Sequence, residues 1–193
     1  MKKNILILGS GGREYAFTWK LFNEKNVNNI YCIPGNAGTA SIANNVNISL
    51  NDFKSIVDFV KDKNIDFTIV GPEDPLDNGI VDYFKDHNCK ILGPNKQCAK
   101  LESSKIYARD IMKKYNIPHP NYLSCKSKDD VLSAKSELGL PIVLKADGLA
   151  AGKGVIICNN EEEFNQGLSN FFENNNFGNA SNKISVEECI SGP

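Results

Sequence analysis

Short runs rich in aliphatic and β-branched residues recur along the chain between stretches whose apolar positions follow a helical period. Ile5 to Leu8, Ile30 to Ile33, Phe67 to Val70 and Lys90 to Leu92 read as strands, and Arg13 to Asn23, Asp52 to Lys63 and Leu76 to His87 as helices. That alternation predicts βαβ units and a parallel sheet. After Gly93-Pro94 the tempo changes. A helix from about Ser103 to Tyr115 is followed by Pro118-His119-Pro120, which cannot continue it. Tyr122 to Cys125 and Pro141 to Ala146 then read as strands around a helix from Lys128 to Leu138, with a glycine-rich loop and a further strand, Val155 to Cys158, behind them. This second module reads as α+β and not as a continuation of the first sheet. The chain is therefore expected to be α/β, with a Rossmann-like parallel-sheet domain over 1–100 and a partial α+β domain over 101–193, the change falling between Leu92 and Pro120. Asn170 to Asn182 is asparagine-rich and weakly patterned, and reads as a loop or helix end without chemistry. Ile184 to Glu188 reads as a central strand close to the last residue, Pro193, so its partners are expected to be missing.

Composition narrows the classes of partner. The formal charge of −1 offers no net positive field for nucleic acid or an anionic membrane, so any phosphate must be held by local groups. The six cysteines are scattered with no C-x-x-C pair, and only two histidines accompany them, which points away from zinc or redox chemistry and toward reduced thiols of a cytoplasmic protein. The apolar run after Lys2-Lys3 is too short for an export signal, and no run approaches the ~20 apolar residues of a membrane span.

The candidate chemistry sits in glycine-rich loops. Gly9-Ser10-Gly11-Gly12-Arg13-Glu14 follows a strand and precedes a helix, where an open α/β sheet binds phosphate. A dinucleotide fingerprint would need a third glycine where Glu14 stands and an acid near Ile33-Pro34-Gly35, so NAD is disfavoured. A small phosphate ester held by backbone amides and Arg13 fits better, and a tight turn with no ligand is the plain alternative. Two further turns, Pro34-Gly35-Asn36-Ala37-Gly38-Thr39 and Gly71-Pro72-Glu73-Asp74-Pro75-Leu76, also follow predicted strands, so all three converge on one sheet edge. Gly11, Gly12, Arg13, Gly35, Asn36, Gly38 and Thr39 are candidates for holding phosphate and ribose, and Glu73, Asp74 and Pro75 for lining the pocket, with Glu73 or Asp74 accepting from hydroxyls or an amine. Each turn taken alone is more often structural than functional, because Pro and Gly are the default turn residues, and it is their convergence that points to a site.

In the second module, Lys145-Ala146-Asp147-Gly148-Leu149-Ala150-Ala151-Gly152-Lys153-Gly154-Val155 lies between two apolar strands. Its spacing is not that of a Walker A loop, because three residues separate the glycines and Lys153 leads into Gly154 and a strand. A β-loop-β flap closing over a triphosphate fits better. Lys145 ends an apolar strand, where an inward-facing charge needs an anionic partner, and a nucleotide phosphate would serve. An outward-facing lysine is the alternative for both Lys145 and Lys105. Glu187-Glu188-Cys189-Ile190 forms a strand end whose backbone groups could read an adenine edge, although adjacent acids are more often solvated surface.

Together these motifs resemble glycinamide ribonucleotide synthetase (phosphoribosylamine–glycine ligase), an ATP-grasp ligase of purine biosynthesis, over essentially the whole chain and in order. The lysine placements alone would fit any ATP-grasp ligase, whereas the flap motif is close to diagnostic. The resemblance implies a Rossmann-like N-terminal domain contributing to the phosphoribosylamine site, then an ATP-grasp region. Lys105 and Lys145 would bind phosphates; Gly148 to Gly154, with Gly148, Gly152, Lys153 and Gly154, would form the lid, Asp147 beside it would also serve ATP binding, and Glu187, Glu188, Cys189 and Ile190 would form the adenine hinge. It also implies ATP with Mg2+ or Mn2+, the substrates phosphoribosylamine and glycine, and metal ligands beyond Pro193 in a further half of the same polypeptide, so this chain alone is not expected to turn over. Tyr15, where the family pattern usually has His, and Cys189, where it has a bulky apolar residue, are departures that change the polar options. Another ATP-grasp ligase, or a non-enzymatic phosphosugar- or nucleotide-binding module, are the alternatives.

Overall fold

A computed structural model of the chain describes residues 2–149, 154–173 and 183–192. The chain divides into two compact units, Met1–Ala99 and Lys100–Pro193.

The first unit runs β1 (Lys3–Gly9), α1 (Gly12–Phe22), β2 (Val27–Pro34), a 3-10 turn (Thr39–Ser41), β3 (Asn44–Asn45), α2 (Phe53–Asp62), β4 (Phe67–Val70), α3 (Glu73–Asp77), α4 (Ile80–Asp86) and β5 (Ile91–Leu92). Its sheet has the order β3-β2-β1-β4-β5, and each adjacent pair is parallel. The central strand β1 is apolar on both faces, as a strand covered on both sides must be. Leu6 and Leu8 pack with Ile56, Val57, Val60, Ile80 and Phe84, while Ile5 and Ile7 pack with Ile30 and Cys32. From β1 the chain moves outward through β2 and β3, then crosses back to β4 and β5. The switch point therefore lies between β1 and β4, and the loops leaving those two strands flank it.

The apolar spacing accounts for α2, whose buried face is Ile56, Val57 and Val60. Asp52 caps it by accepting from the Ser55 amide at 3.0 Å and the Ser55 hydroxyl at 2.7 Å. Asp52→Ala is expected to lower the urea midpoint of the first unit, because the Ser55 amide loses its cap. The single helix expected over Leu76 to His87 is instead two. Gly79 interrupts it at φ +93°, and α3 ends before that residue.

From the end of the first unit the chain continues through α5 (Lys96–Ser103), α6 (Lys105–Lys114), β6 (Tyr122–Cys125), α7 (Lys128–Leu138), β7 (Ile142–Ala146), β8 (Val155–Cys158), α8 (Glu161–Phe172) and β9 (Ile184–Glu188). The helix expected from Ser103 begins at Lys105, because Ser104 takes the N-cap position and its hydroxyl accepts from the Tyr107 amide. The preceding turn belongs to α5, which sequence pattern alone did not reveal. Helix α8 ends at Phe172, within the stretch from Asn170 read as a loop or helix end; residues 174–182 lie outside the described residues.

The second sheet is antiparallel, in the order β6-β9-β7-β8. Strand β9 is central, as expected, but both of its neighbours are supplied by this chain, which corrects the expectation of missing partners. One face of the sheet carries Cys125, Ile142, Leu144, Ala146, Cys158, Ile184 and Val186. These form a core with Val131 and Ala134 of α7 and with Phe164, Leu168 and Phe171 of α8. The alternate residues, among them Val143, Lys145, Ser185 and Glu187, occupy the other face.

Candidate functional site

In the first unit, the loops after β1 and β4 border a cleft of about 370 Å3 lined by Gly9 to Glu14, Leu50, Pro72 and Glu73. Glu14, used in the sequence only as a departure from a dinucleotide fingerprint, organises it. Its side chain is buried and its Oε2 accepts from the Gly11 amide at 2.5 Å, closing a capping arrangement at the start of α1. A Cβ on Gly9 or Gly71 would fall within the Glu14 side chain, so these two glycines are what let the carboxylate sit between the loops. The Gly11 amide is therefore taken, and the amides of Gly12 and Arg13 in the first turn of α1 are left to face an anion. Arg13 reaches across the switch point, donating to the Gly71 carbonyl and, at 3.0 Å, to Glu73. Hydrogen bonding from the amide of Glu73 itself and from the Arg13 guanidinium holds the Glu73 carboxyl below the usual carboxylate range.

The turn after β2 is knitted to itself. Asn36 donates from its side-chain amide to the carbonyls of Ser10 and Gly11 and accepts from the Thr39 amide. The buried Thr39 hydroxyl lies 3.0 Å from the Asn36 carbonyl and 2.8 Å from Asn45 Oδ1. Of these two side chains, expected to hold phosphate and ribose, Asn36 ties the turn to the loop after β1 and Thr39 fastens it to itself and to Asn45. A Cβ on Gly35 would meet Asn45, and one on Gly38 would meet the Tyr15 ring, so Tyr15 packs where this turn comes closest to α1. Asp74 is exposed and Pro75 buried. A larger hollow of about 440 Å3, at the starts of β4 and β5 beside Lys61, Asp66, His87 and Lys90, gathers none of the predicted residues.

In the second unit, the open face of the sheet carries a charged cluster. Glu187 is fully buried; its Oε2 accepts from Lys145 Nζ of β7 and from Arg109 Nη2 of α6, each at 2.7 Å, and its Oε1 accepts from the Ser185 hydroxyl at 3.1 Å. Burial pushes the Glu187 carboxyl up, but the hydrogen bonds and charges of Arg109 and Lys145 outweigh it, and the group lies below the usual range. Lys145 thus meets an anionic partner within the chain, Glu187, whose burial corrects the reading of this acid as solvated surface. Arg109 was not legible from motif spacing. Its Nε is buried without a hydrogen-bond partner among the described residues, an arrangement that costs about 1–3 kcal/mol.

Helix α6 is fastened over this face at several points. Asp147, just past β7, accepts from the Ser104 hydroxyl at 2.9 Å and the Ile106 amide at 3.1 Å. Lys105 Nζ donates to the Gly148 carbonyl at 3.2 Å, and the Tyr122 hydroxyl donates to Asp110 at 2.5 Å. Burial and Asp110 together push the Tyr122 phenol up to about 12. Beside the cluster, Val155 and Ile157 on the edge strand β8 stand opposite Lys145 and Val143 and are 46% and 55% exposed. An uncovered apolar shelf next to a group of cations suits a ligand with a flat apolar part and an anionic part. The Gly154 carbonyl accepts from the Ala146 amide, which closes the base of the loop; Ala150, Ala151, Gly152 and Lys153 lie outside the described residues. At the end of β9 the amides of Glu188 and Cys189 donate to Asn121 and Pro141, so neither is free to read a base edge, while Ile190 is exposed.

Comparison with known proteins supplies the class and then the family. Residues 103–193 match the family model described as the phosphoribosylglycinamide synthetase ATP-grasp (A) domain, so the second unit is of the ATP-grasp class. Residues 3–102 match the phosphoribosylglycinamide synthetase N domain, and the chain belongs to that family. It is 43% identical over 188 residues to the phosphoribosylamine–glycine ligase of Clostridium acetobutylicum, covering 97% of this chain and 45% of that protein. It is 44% identical to the Vibrio cholerae ligase, with 97% and 44% covered. Among solved structures, phosphoribosylamine–glycine ligase from Thermotoga maritima matches with a TM-score of 0.78 at 28% identity, over 98% of this chain and 44% of that one. The biotin carboxylase domain of a Hydrogenobacter thermophilus 2-oxoglutarate carboxylase shares the fold, with a TM-score of 0.79 at 19% identity over 99% of this chain and 45% of that one. The chain spans less than half the length of these relatives. Among the described residues no group of three or more His, Cys, Asp or Glu side chains is placed to hold a metal ion, and no helix is long and apolar enough to cross a membrane.

Proposed function

We propose that this chain forms the phosphoribosylamine-binding unit and part of the ATP-binding unit of a cytoplasmic phosphoribosylamine–glycine ligase. The proposed reaction moves the γ-phosphoryl group of ATP to the carboxylate of glycine, releasing ADP. The amine of 5-phosphoribosylamine then attacks the acyl carbon, the amide bond forms, and phosphate leaves. The observation that carries this reading is the pairing of Lys145 and Arg109 with buried Glu187 beside the bare shelf of Val155 and Ile157: cations for phosphate next to an apolar surface for the purine. Lys105 adds a further cation from the start of α6. Asp147 fixes that helix, so its role is to place Lys105. The flap over Gly148 to Gly154, with Gly152 and Lys153, is assigned to closing over the phosphates, and Ile190 with the carbonyls, not the amides, of Glu188 and Cys189 to the adenine edge. Magnesium, when bound, would offset charge on the transferring phosphoryl group. We assign its ligands and the glycine site to the part of the relatives' length that this chain does not span.

In the first unit, the amides of Gly12 and Arg13 with the Arg13 guanidinium are assigned to the sugar phosphate, and Glu73 to the hydroxyls or amine. Gly35, Asn36, Gly38 and Thr39 are assigned to the same substrate site through the loop that Asn36 holds, and Asp74 and Pro75 through their place next to Glu73 in sequence. The unpaired state of all six cysteines is in keeping with a reducing compartment. Calorimetric titration with ribose 5-phosphate, a stable substitute for phosphoribosylamine, tests the pocket. Saturable binding is expected, about tenfold weaker in Arg13→Ala, where a charge-assisted contact is lost. NAD is expected to give no heat. Equal affinity in wild type and variant would remove Arg13 from the site.

A further inference from the structure

We propose that Arg109 is a positioning residue: by sharing the Glu187 carboxylate with Lys145, it leaves the Lys145 ammonium only partly neutralised and fixed in place, so that the cluster presents net positive charge to an incoming phosphate. This rests on the reading of the open face as a nucleotide site.

The argument begins with charge. Lys145 alone with Glu187 would form a closed, neutral pair, whose field falls off quickly and offers little to a second anion. Arg109 comes from a different element and binds the same Oε2 at the same 2.7 Å, so two cations meet on one carboxylate. The remaining Oε1 is taken by Ser185, which fixes the plane of the carboxylate and with it the directions in which both cations lie. The placement of Arg109 is itself imposed. Asp147 anchors the start of α6, and Asp110 holds Tyr122 one residue beyond Arg109. Nη1 of Arg109 rests on the Met112 sulfur at 3.4 Å, and Nε is left buried without a partner among the described residues. A guanidinium serving only to cover apolar surface would turn its donors toward water. Here one donor goes unsatisfied so that Nη2 can reach Glu187.

The competing role is a plain staple between α6 and the sheet, and the two differ in the sign of one measurement. On the intact chain, brief acetic anhydride labelling followed by mass spectrometry gives the reactivity of Lys145 relative to exposed Lys20 and Lys54. With Arg109→Met, Glu187 serves Lys145 alone and holds its amine more closely, and Lys145 labelling is expected to slow by about threefold to tenfold. Arg109→Lys is expected to restore it to within about twofold. A staple gives unchanged or faster labelling as α6 loosens, and either result overturns the proposal. Should Arg109→Met fail to fold by circular dichroism, Arg109→Gln supplies the same comparison. A parallel titration with ADP separates the two readings. If wild type does not bind ADP, the nucleotide assignment of this face fails, while the labelling ratio still decides whether charge is shared. If it binds, Arg109→Met is expected to weaken ADP about tenfold and adenosine by less than twofold; equal weakening of both overturns the proposal.

Discussion

A Glu187→Leu variant is expected to lose about 3 kcal/mol of stability in the second unit, read from hydrogen exchange of the β7 and β9 amides or from the urea midpoint. The substitution removes the carboxylate that Lys145 and Arg109 share and leaves two cations facing each other in a site whose floor is fully buried. Breaking a buried pair costs about 3–5 kcal/mol, because the surviving charge keeps its desolvation penalty. The low end applies here, since the side chains of Lys145 and Arg109 keep 21% and 18% of their surface in water. The triple change Glu187→Leu, Lys145→Met, Arg109→Met removes all the charge and is expected to recover most of the loss, which separates an electrostatic origin from a packing one. Acid gives an independent check. The folded Glu187 carboxyl lies below its unfolded value of about 4.3, so its contribution is fully present above that value and disappears as pH falls through the lower, folded one. The stability difference between wild type and Glu187→Gln should therefore shrink below about pH 4 and stay constant between about pH 6 and 8. A difference that is flat down to pH 2 would mean that the carboxylate is not held by its two cations.

Why Lys145 was placed correctly in sequence and its partner was not follows from what each depends on. An apolar run ending in lysine is a local signal, and it marked β7 within one residue. The identity of the partner depends on the register between β7 and β9, in which Lys145 lies opposite Ser185 and therefore diagonal to Glu187, 42 residues further along. No local pattern encodes that pairing. Arg109 was equally hidden, being one of several polar residues on α6 until Asp147 and Ser104 fix the start of that helix. Strands β6, β8 and β9 and helix α7 matched their expected limits because turn residues or a capping serine bound them, Ser127 accepting from the Asp130 amide. Helix α8 carried the same kind of signal, Asn160 with Glu163 three residues on, and the asparagine-rich stretch behind it obscured the reading. Asn36 and Thr39 show the opposite difficulty. Their composition suggested a ligand, but a turn made of short polar side chains can satisfy itself, and this one does.

The second large effect is expected at Gly9, where Gly9→Ala should destabilise the first unit by about 3 kcal/mol or more and abolish ribose 5-phosphate binding. Gly9 ends β1 at φ +127°, a region in which an L side chain costs about 1–3 kcal/mol before any contact is considered. Its new Cβ would also lie 2.6 Å from Glu14 Cγ and 2.9 Å from the Pro72 ring. The ring cannot turn aside, and forced overpacking of this kind typically costs a further 1–3 kcal/mol or about that. Trp19, the single tryptophan, lies on α1, so its fluorescence reports unfolding of the first unit. Combining the change with Glu14→Ala divides the effect into its parts. Removing the Glu14 side chain clears one of the two obstructions, so the double variant should be more stable than the sum of the single losses predicts, by about 1 kcal/mol, while the backbone strain and the Pro72 contact remain. Strict additivity would mean that Glu14 does not occupy the space between the loops after β1 and β4. Binding should not return in the double variant even where stability does. Without Glu14 the Gly11 amide loses its acceptor, and the start of α1 is no longer held in the position from which Gly12 and Arg13 face the cleft.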